Sequence, residues 1–355
     1  MGLILVSLMT TCIFAQTVTI TDMAQRNVII PVAPERIICI GPGTLRLIVY
    51  LQATEKVVGV EDLEKMNPEG RPYWLAHPEM AQLPRCGPGG PASINKKPDL
   101  ESVLQVSPQV IFVTYMDTSL ADEVQKILGI PVVVLSYGSF ATFDETVFDA
   151  LRIAGTVLKR EQRAEGVINF IETQREILQQ YTSDIENDKR PKVYVGGIGF
   201  RGTQGIQSSE QNYAPIEWVN AHNLAKEVKA TAQSHVFVNR ETLLQLNPKI
   251  IFIDGGGLDQ ISEDYTEYEQ FYRALTAVEN RRVFSLLPFN WYTTNIDTAL
   301  CDAYAVGKIL YPERFSTINL EEKADEIYTF MVGRAVYSQM QSDYGAIGQQ
   351  VPFLE

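Results

Sequence analysis

One sentence of this chain is written twice. ETLLQLNPKIIFID, Glu241 to Asp254, repeats ESVLQVSPQVIFVT, Glu101 to Thr114, 140 positions further on. In each copy a capping residue, Asp99 or Asn239, opens a short amphipathic helix, and a residue-proline pair, Ser107-Pro108 or Asn247-Pro248, ends it. A run of β-branched and aromatic residues follows without alternation, as expected of a strand buried on both faces of a parallel sheet. The flanks agree. Each half opens with a strand running into glycines, PERIICIGPG (34–43) and RPKVYVGGIG (190–199). Each copy is followed by a further helix and buried strand, ADEVQKILGIPVVVLS in the first half and EYEQFYRALTAVENRRVFSL in the second. Strands alternating with helices predict an α/β fold of two duplicated parallel-sheet lobes with a cleft between them.

The length of 355 residues suits two units, each able to bury its own core. We place the first lobe at 17–157, an interlobe helix at 158–190, and the second lobe with C-terminal helices and tail at 191–355. Within the connecting segment, apolar residues keep helical spacing without a proline, which predicts one helix from about Glu161 to Asp184. A single rigid connector predicts a stiff cleft with little closure.

The net charge of −13 argues against a nucleic-acid partner, because phosphate backbones are held by clustered Lys and Arg. Residues 1–16, MGLILVSLMTTCIFAQ, have an apolar core followed by small and polar residues, the shape of an export leader cleaved near Ala15. Cys12 is then a leader residue or, less simply, a lipid acceptor. Cys39, Cys86 and Cys301 lack metal or disulfide spacing and read as small buried hydrophobes.

With the order of these pieces fixed, the chain resembles the helical-backbone class of periplasmic substrate-binding proteins of ABC importers, the group serving siderophores, haem and cobalamin. The resemblance runs from about Thr17 to Gly333. It is carried by IGPGTLRLIVYLQATEKVVGVE, by the repeated PDLESVLQVSPQVIFV pattern, and by NIDTALCDAYAVGKILYPERF. It implies an exported protein, periplasmic or anchored outside the cytoplasmic membrane. Such a protein is a monomer without cofactor or catalytic activity that captures a metal complex and delivers it to an ABC permease dimer with its ATPase. The docking acids of cobalamin-type members match Glu101 and Glu241, the same position in the two copies; a first-turn glutamate also favours the helix dipole. The resemblance departs at Arg46, where many siderophore-type members carry an acid, and it leaves the tail after Gly333 unassigned.

Crevices in open α/β sheets form at the carboxyl ends of the strands. That rule selects Gly43, Thr44, Arg85, Gly89, Asn95 and Tyr115 from the first lobe, with Phe200, Arg201, His235, Trp291 and Tyr292 from the second. Aromatic faces and arginine forks in this set suit an organic metal chelate. An oxyanion such as molybdate or tungstate, held by glycine-rich backbone and an arginine, stands beside that reading. Gly197 to Gly202 matches G-x-G-x-x-G, with Glu217 at a plausible distance for a ribose, which would make a dinucleotide enzyme. The polar TQGIQSSEQNY that follows is not the helix that fingerprint needs. His77, His222 and His235 sit in unrelated contexts, which speaks against a histidine-built site for a bare metal ion.

Overall fold

The computed structural model describes residues 16–66, 69–139, 142–199, 202–230 and 234–354. Residues 1–15 of the leader, with Cys12 and Ala15, lie outside them, as do Phe200 and Arg201. An antiparallel hairpin of β1 (Thr17–Thr21) and β2 (Asn27–Pro31) opens the chain. It is tied to the first lobe where Asp22 accepts the Val134 N–H at 3.1 Å.

The first lobe holds β3 (Ile37–Ile40), β4 (Val57–Gly59), β5 (Val110–Thr114) and β6 (Val132–Leu135), a parallel sheet in the order β4-β3-β5-β6. The second lobe contains β7 (Lys192–Gly196), β8 (Ser208–Glu210), β9 (His222–Asn223), β10 (His235–Phe237), β11 (Ile251–Asp254) and β12 (Val283–Leu286). Four of these make a parallel sheet, β9-β7-β11-β12, while β8 and β10 pair antiparallel apart from it. Matched by place in the duplication, the two strand orders are the same. The repeated sentence is β5 and β11 with the helices Leu100–Val106 and Arg240–Leu246 before them. Asp99 accepts the Ser102 N–H at 3.1 Å and Asn239 the Thr242 N–H at 2.8 Å, so both caps form. Ser107 (φ 46°) and Asn247 (φ 39°) end the helices in left-handed geometry. Every residue of β5 and β11 is buried.

The cores do not divide by lobe. The outer face of each sheet has its own cluster, around Ile38, Ile111 and Val132 in one lobe and Tyr194, Ile251 and Val283 in the other. The inner faces share one cluster that runs from Ile37, Phe112 and Leu135 through Ile168 and Ala299 to Val195 and Phe252. This differs from two self-contained cores, and the reason is the helix Ile296–Leu310, buried along nearly its whole length. It packs on the interlobe helix and on Leu320–Val332, which crosses back to the first-lobe helix Thr44–Tyr50. The interlobe helix spans Glu161–Gln180. It stops short of Asp184 because Arg314 takes the Tyr181 carbonyl and the Asp184 carboxylate, holding residues 181–184 as a turn.

The tail has a place. After the helix Tyr337–Tyr344, residues 348–351 run antiparallel along β12: Gly348 N–H donates to Ser285 O, Ser285 N–H to Gln349 O, and Val351 N–H to Val283 O. Cys39, Cys86 and Cys301 are buried free thiols. Among the described residues no helix is long and apolar enough to cross a membrane.

Candidate functional site

The carboxyl ends of both sheets face one seam, closed at its base by contacts from lobe to lobe. Arg46, on the first-lobe helix Thr44–Tyr50, is fully buried. Its Nη1 donates to the Thr294 carbonyl at 2.9 Å, and its Nη2 to the Trp291 carbonyl at 2.7 Å and that of Tyr292 at 3.3 Å. Three carbonyls in one loop share a single guanidinium, whose charge strengthens each bond. In return Tyr292 reaches the first lobe. Its hydroxyl donates to Glu61 Oε2 at 2.8 Å and accepts the Gly90 N–H at 3.0 Å. Thr294 adds a bond to the Thr142 carbonyl, and Thr142 one to the Asn212 carbonyl.

Close approach is built into the backbone here. Gly43 has φ 75°, and a Cβ on it would lie 2.5 Å from Thr293 Cγ2 and 2.6 Å from Tyr137 Cε2. Tyr115, Tyr292 and Thr293 all hold left-handed φ values, between 50° and 65°. Strained backbone of this kind persists where its surroundings over-determine it and gathers at ligand-holding sites.

Glu61 follows β4, beneath these loops. Burial lifts its carboxyl to about 7, against the lowering effect of the Tyr292 and Gly41 hydrogen bonds, with the Glu64 charge adding to the rise. Arg71 is wholly buried near the same loops. Its Nη1 donates to Glu64 Oε2 at 2.6 Å, and its guanidinium carbon stands 5.6 Å from the Trp74 ring and 6.0 Å from the Trp291 ring. Its Nε and Nη2 have no hydrogen-bond partner among the described residues. Tyr344 of the tail also touches the seam, since a Cβ on Gly70 would meet its hydroxyl at 3.0 Å and one on Gly255 its Cδ1 at 3.1 Å.

The residues selected from sequence fall into three groups. Gly43, Gly89, Tyr115, Trp291 and Tyr292 come together at the seam: Gly89 lies against Glu61, and Thr293 stands beside the Tyr115 phenol. Others are occupied internally. The Thr44 hydroxyl bonds Ile40 O and Thr114 Oγ1 at the strand ends. Arg85 is engaged by Asp62 and by Asp99, the cap of the repeated helix. Asn95 is paired with Asp117 through both its amide nitrogen and its carbonyl. His235, on β10, meets the Ser208 hydroxyl at 2.9 Å, and burial lowers its pKa. Phe200 and Arg201 form the third group, outside the described residues. From Gly202 the chain runs into β8 and not into a helix, so the dinucleotide fingerprint lacks the helix N-terminus it requires. Surface depressions of about 490 Å³ beside Lys308 and Tyr337 and about 170 Å³ beside Leu258 and Phe353 lie away from this seam.

Glu61, Arg71 and Tyr137 were not selected from sequence. Glu61 obeys the same strand-end rule as Gly43, and reading VVG as a strand would have found it. Arg71 follows no strand; only the return of residues 288–295 to the first lobe gives it a role.

A solute-binding architecture of two like lobes around a seam is what these elements define. Residues 37–288 match the family described as periplasmic binding protein, and the chain belongs to that family, one of ABC-importer solute-binding proteins and not of enzymes. The molybdate-binding protein MolA of Haemophilus influenzae is 26% identical over 331 residues, covering 87% of this chain and 89% of the relative. Its structure with molybdate bound superposes with a TM-score of 0.70 at 22% identity, over 89% of this chain and 98% of that one. A periplasmic solute-binding protein of Veillonella parvula gives 0.72 at 20% identity, over 93% and 97%. Helicobacter pylori CeuE in a nickel–histidine complex gives 0.62 at 15% identity, over 91% and 99%.

Proposed function

We propose that this chain is the exported binding component of an ABC importer for a small tetrahedral oxyanion of the molybdate and tungstate class. Arg71 carries the reading. A buried guanidinium with two unused nitrogens is costly unless something accepts from them. Neighbouring N–H groups of an arginine match neighbouring oxygens of an oxyanion. Trp291, 36% exposed, has its ring 6.0 Å from that guanidinium. The molybdate-binding relative supports the same class. Gly43, Gly89, Tyr115 and Tyr292 complete the proposed contacts.

The exposed face of Trp291 favours a second reading, a metal complex such as a ferric siderophore, haem or corrinoid stacked at the mouth of the seam. In both readings the chain is a monomer that presents Glu101 and Glu241, exposed at the first turns of the twin helices, to arginines of a two-fold permease dimer.

Thermal denaturation with added ligand separates the two. Molybdate or tungstate at about 100 times its dissociation constant stabilises the fold by about 2.7 kcal/mol. Arg71→Lys, melting like the parent without ligand, loses roughly tenfold or more in molybdate affinity because a single ammonium cannot reproduce the fork. Stabilisation by ferric siderophore, haem or corrinoid with none by either oxyanion rejects the first reading in favour of the second.

A further inference from the structure

The duplication repeats something besides fold. Over residues 101–110 and 241–250 the alternation of exposed and buried positions is the same at all but two places, and those two change only from buried to half-buried. Among the exposed positions in each copy is a leucine, Leu104 at 51% and Leu244 at 38% exposure. Ten large apolar side chains are exposed among the described residues, and the two leucines in that group are this pair. A single exposed leucine needs no explanation. Two at one position of two copies, each three residues after Glu101 or Glu241 and so on the same helix face as it, form a matched pair of surfaces.

Resting on the reading that those acids face a permease, we infer that Leu104 and Leu244 are paired apolar pegs that seat in equivalent apolar sockets, beside basic residues, on the two halves of the permease dimer. Each repeated helix runs back against the strand that follows it, so its first turn lies at the carboxyl edge of the sheet, where the seam opens. A partner that receives both faces at once has two-fold symmetry of its own. A second copy of this chain fits poorly, because self-association through this face sets Glu101 and Glu241 against one another on a protein of net charge −13. The acid supplies orientation and encounter; the leucine supplies buried area that is lost only on dissociation.

The test uses Leu104→Ser, Leu244→Ser, the double variant and Glu101→Ala/Glu241→Ala. Each is titrated against the permease–ATPase complex of the same transporter in lipid nanodiscs, with melting temperature and molybdate titration alongside. Each single leucine variant weakens docking roughly tenfold, equivalent to about 1.4 kcal/mol, and the double variant roughly a hundredfold, with melting and molybdate titration at parent values. Parent-like docking by the leucine variants while the double alanine variant fails overturns the pegs and leaves the acids. Loss from one lobe alone overturns the pairing. Parent dimers that vanish in the double leucine variant assign the face to a second copy and overturn the inference. No docking by the parent chain overturns the importer reading together with it.

Discussion

Glu61 is where burial and hydrogen bonding oppose each other most directly. Its carboxyl rises to about 7 because burial outweighs the bonds from Tyr292 and Gly41. The folded chain therefore holds this proton more tightly than the unfolded chain, whose glutamate titrates near 4.5. The stability it contributes is complete below about pH 4.5 and is lost as pH rises through 7. Glu61→Gln, which stays neutral, should gain on the parent as pH rises. The difference in unfolding free energy from urea titrations should grow between pH 5 and pH 8 by on the order of 1–3 kcal/mol. A difference independent of pH would show that Glu61 is charged throughout. Residues of this kind are the least legible in sequence. Arg46 stands out there only as a departure from the resembled pattern, because its three carbonyl partners lie some 245 positions away. Arg85 looks like a free fork because nothing local shows that Asp62 and Asp99 close on it.

Elements were more legible because their causes are local. Caps, residue-proline stops and unalternating apolar runs act within about ten residues, and the repeated helices and strands form where those signals put them. The interlobe helix ends four residues before the apolar spacing does, for a tertiary reason: Arg314 competes for its last turn. The tail gave no signal, since its 348–351 segment becomes strand-like only against β12. The two caps allow an internal comparison. Asn239→Ala removes one bond, to the Thr242 N–H, and should cost about 1 kcal/mol in thermal or urea unfolding. Asp99→Ala removes the equivalent bond to Ser102 and also an arm of Arg85, so it should destabilise more than Asn239→Ala. Equal losses would mean that the Arg85 contact contributes nothing measurable.

At the scale of the molecule, the duplication gives two like sheets, and the buried helix Ile296–Leu310 fuses them. A hinged protein closes by moving separate cores about a few linker residues. Here the inner core is continuous between lobes, and Arg46, Tyr292 and Thr294 bond across the seam. Opening the lobes would expose that core and strand a buried guanidinium, so the ligand has to enter by loop and side-chain movement. Spin labels on the exposed Gln109 and Lys249, matched positions on the two lobes, should keep their separation within about 2 Å when molybdate is added at saturation, as read by pulsed dipolar spectroscopy. Arg46→Gln, which removes the guanidinium and with it the three-carbonyl clamp, should broaden the distance distribution while leaving its mean nearly in place, because the shared core still joins the lobes. A shift of many ångströms on ligand addition in the parent would make this a closing cleft, and the seam bonds a property of its closed state alone.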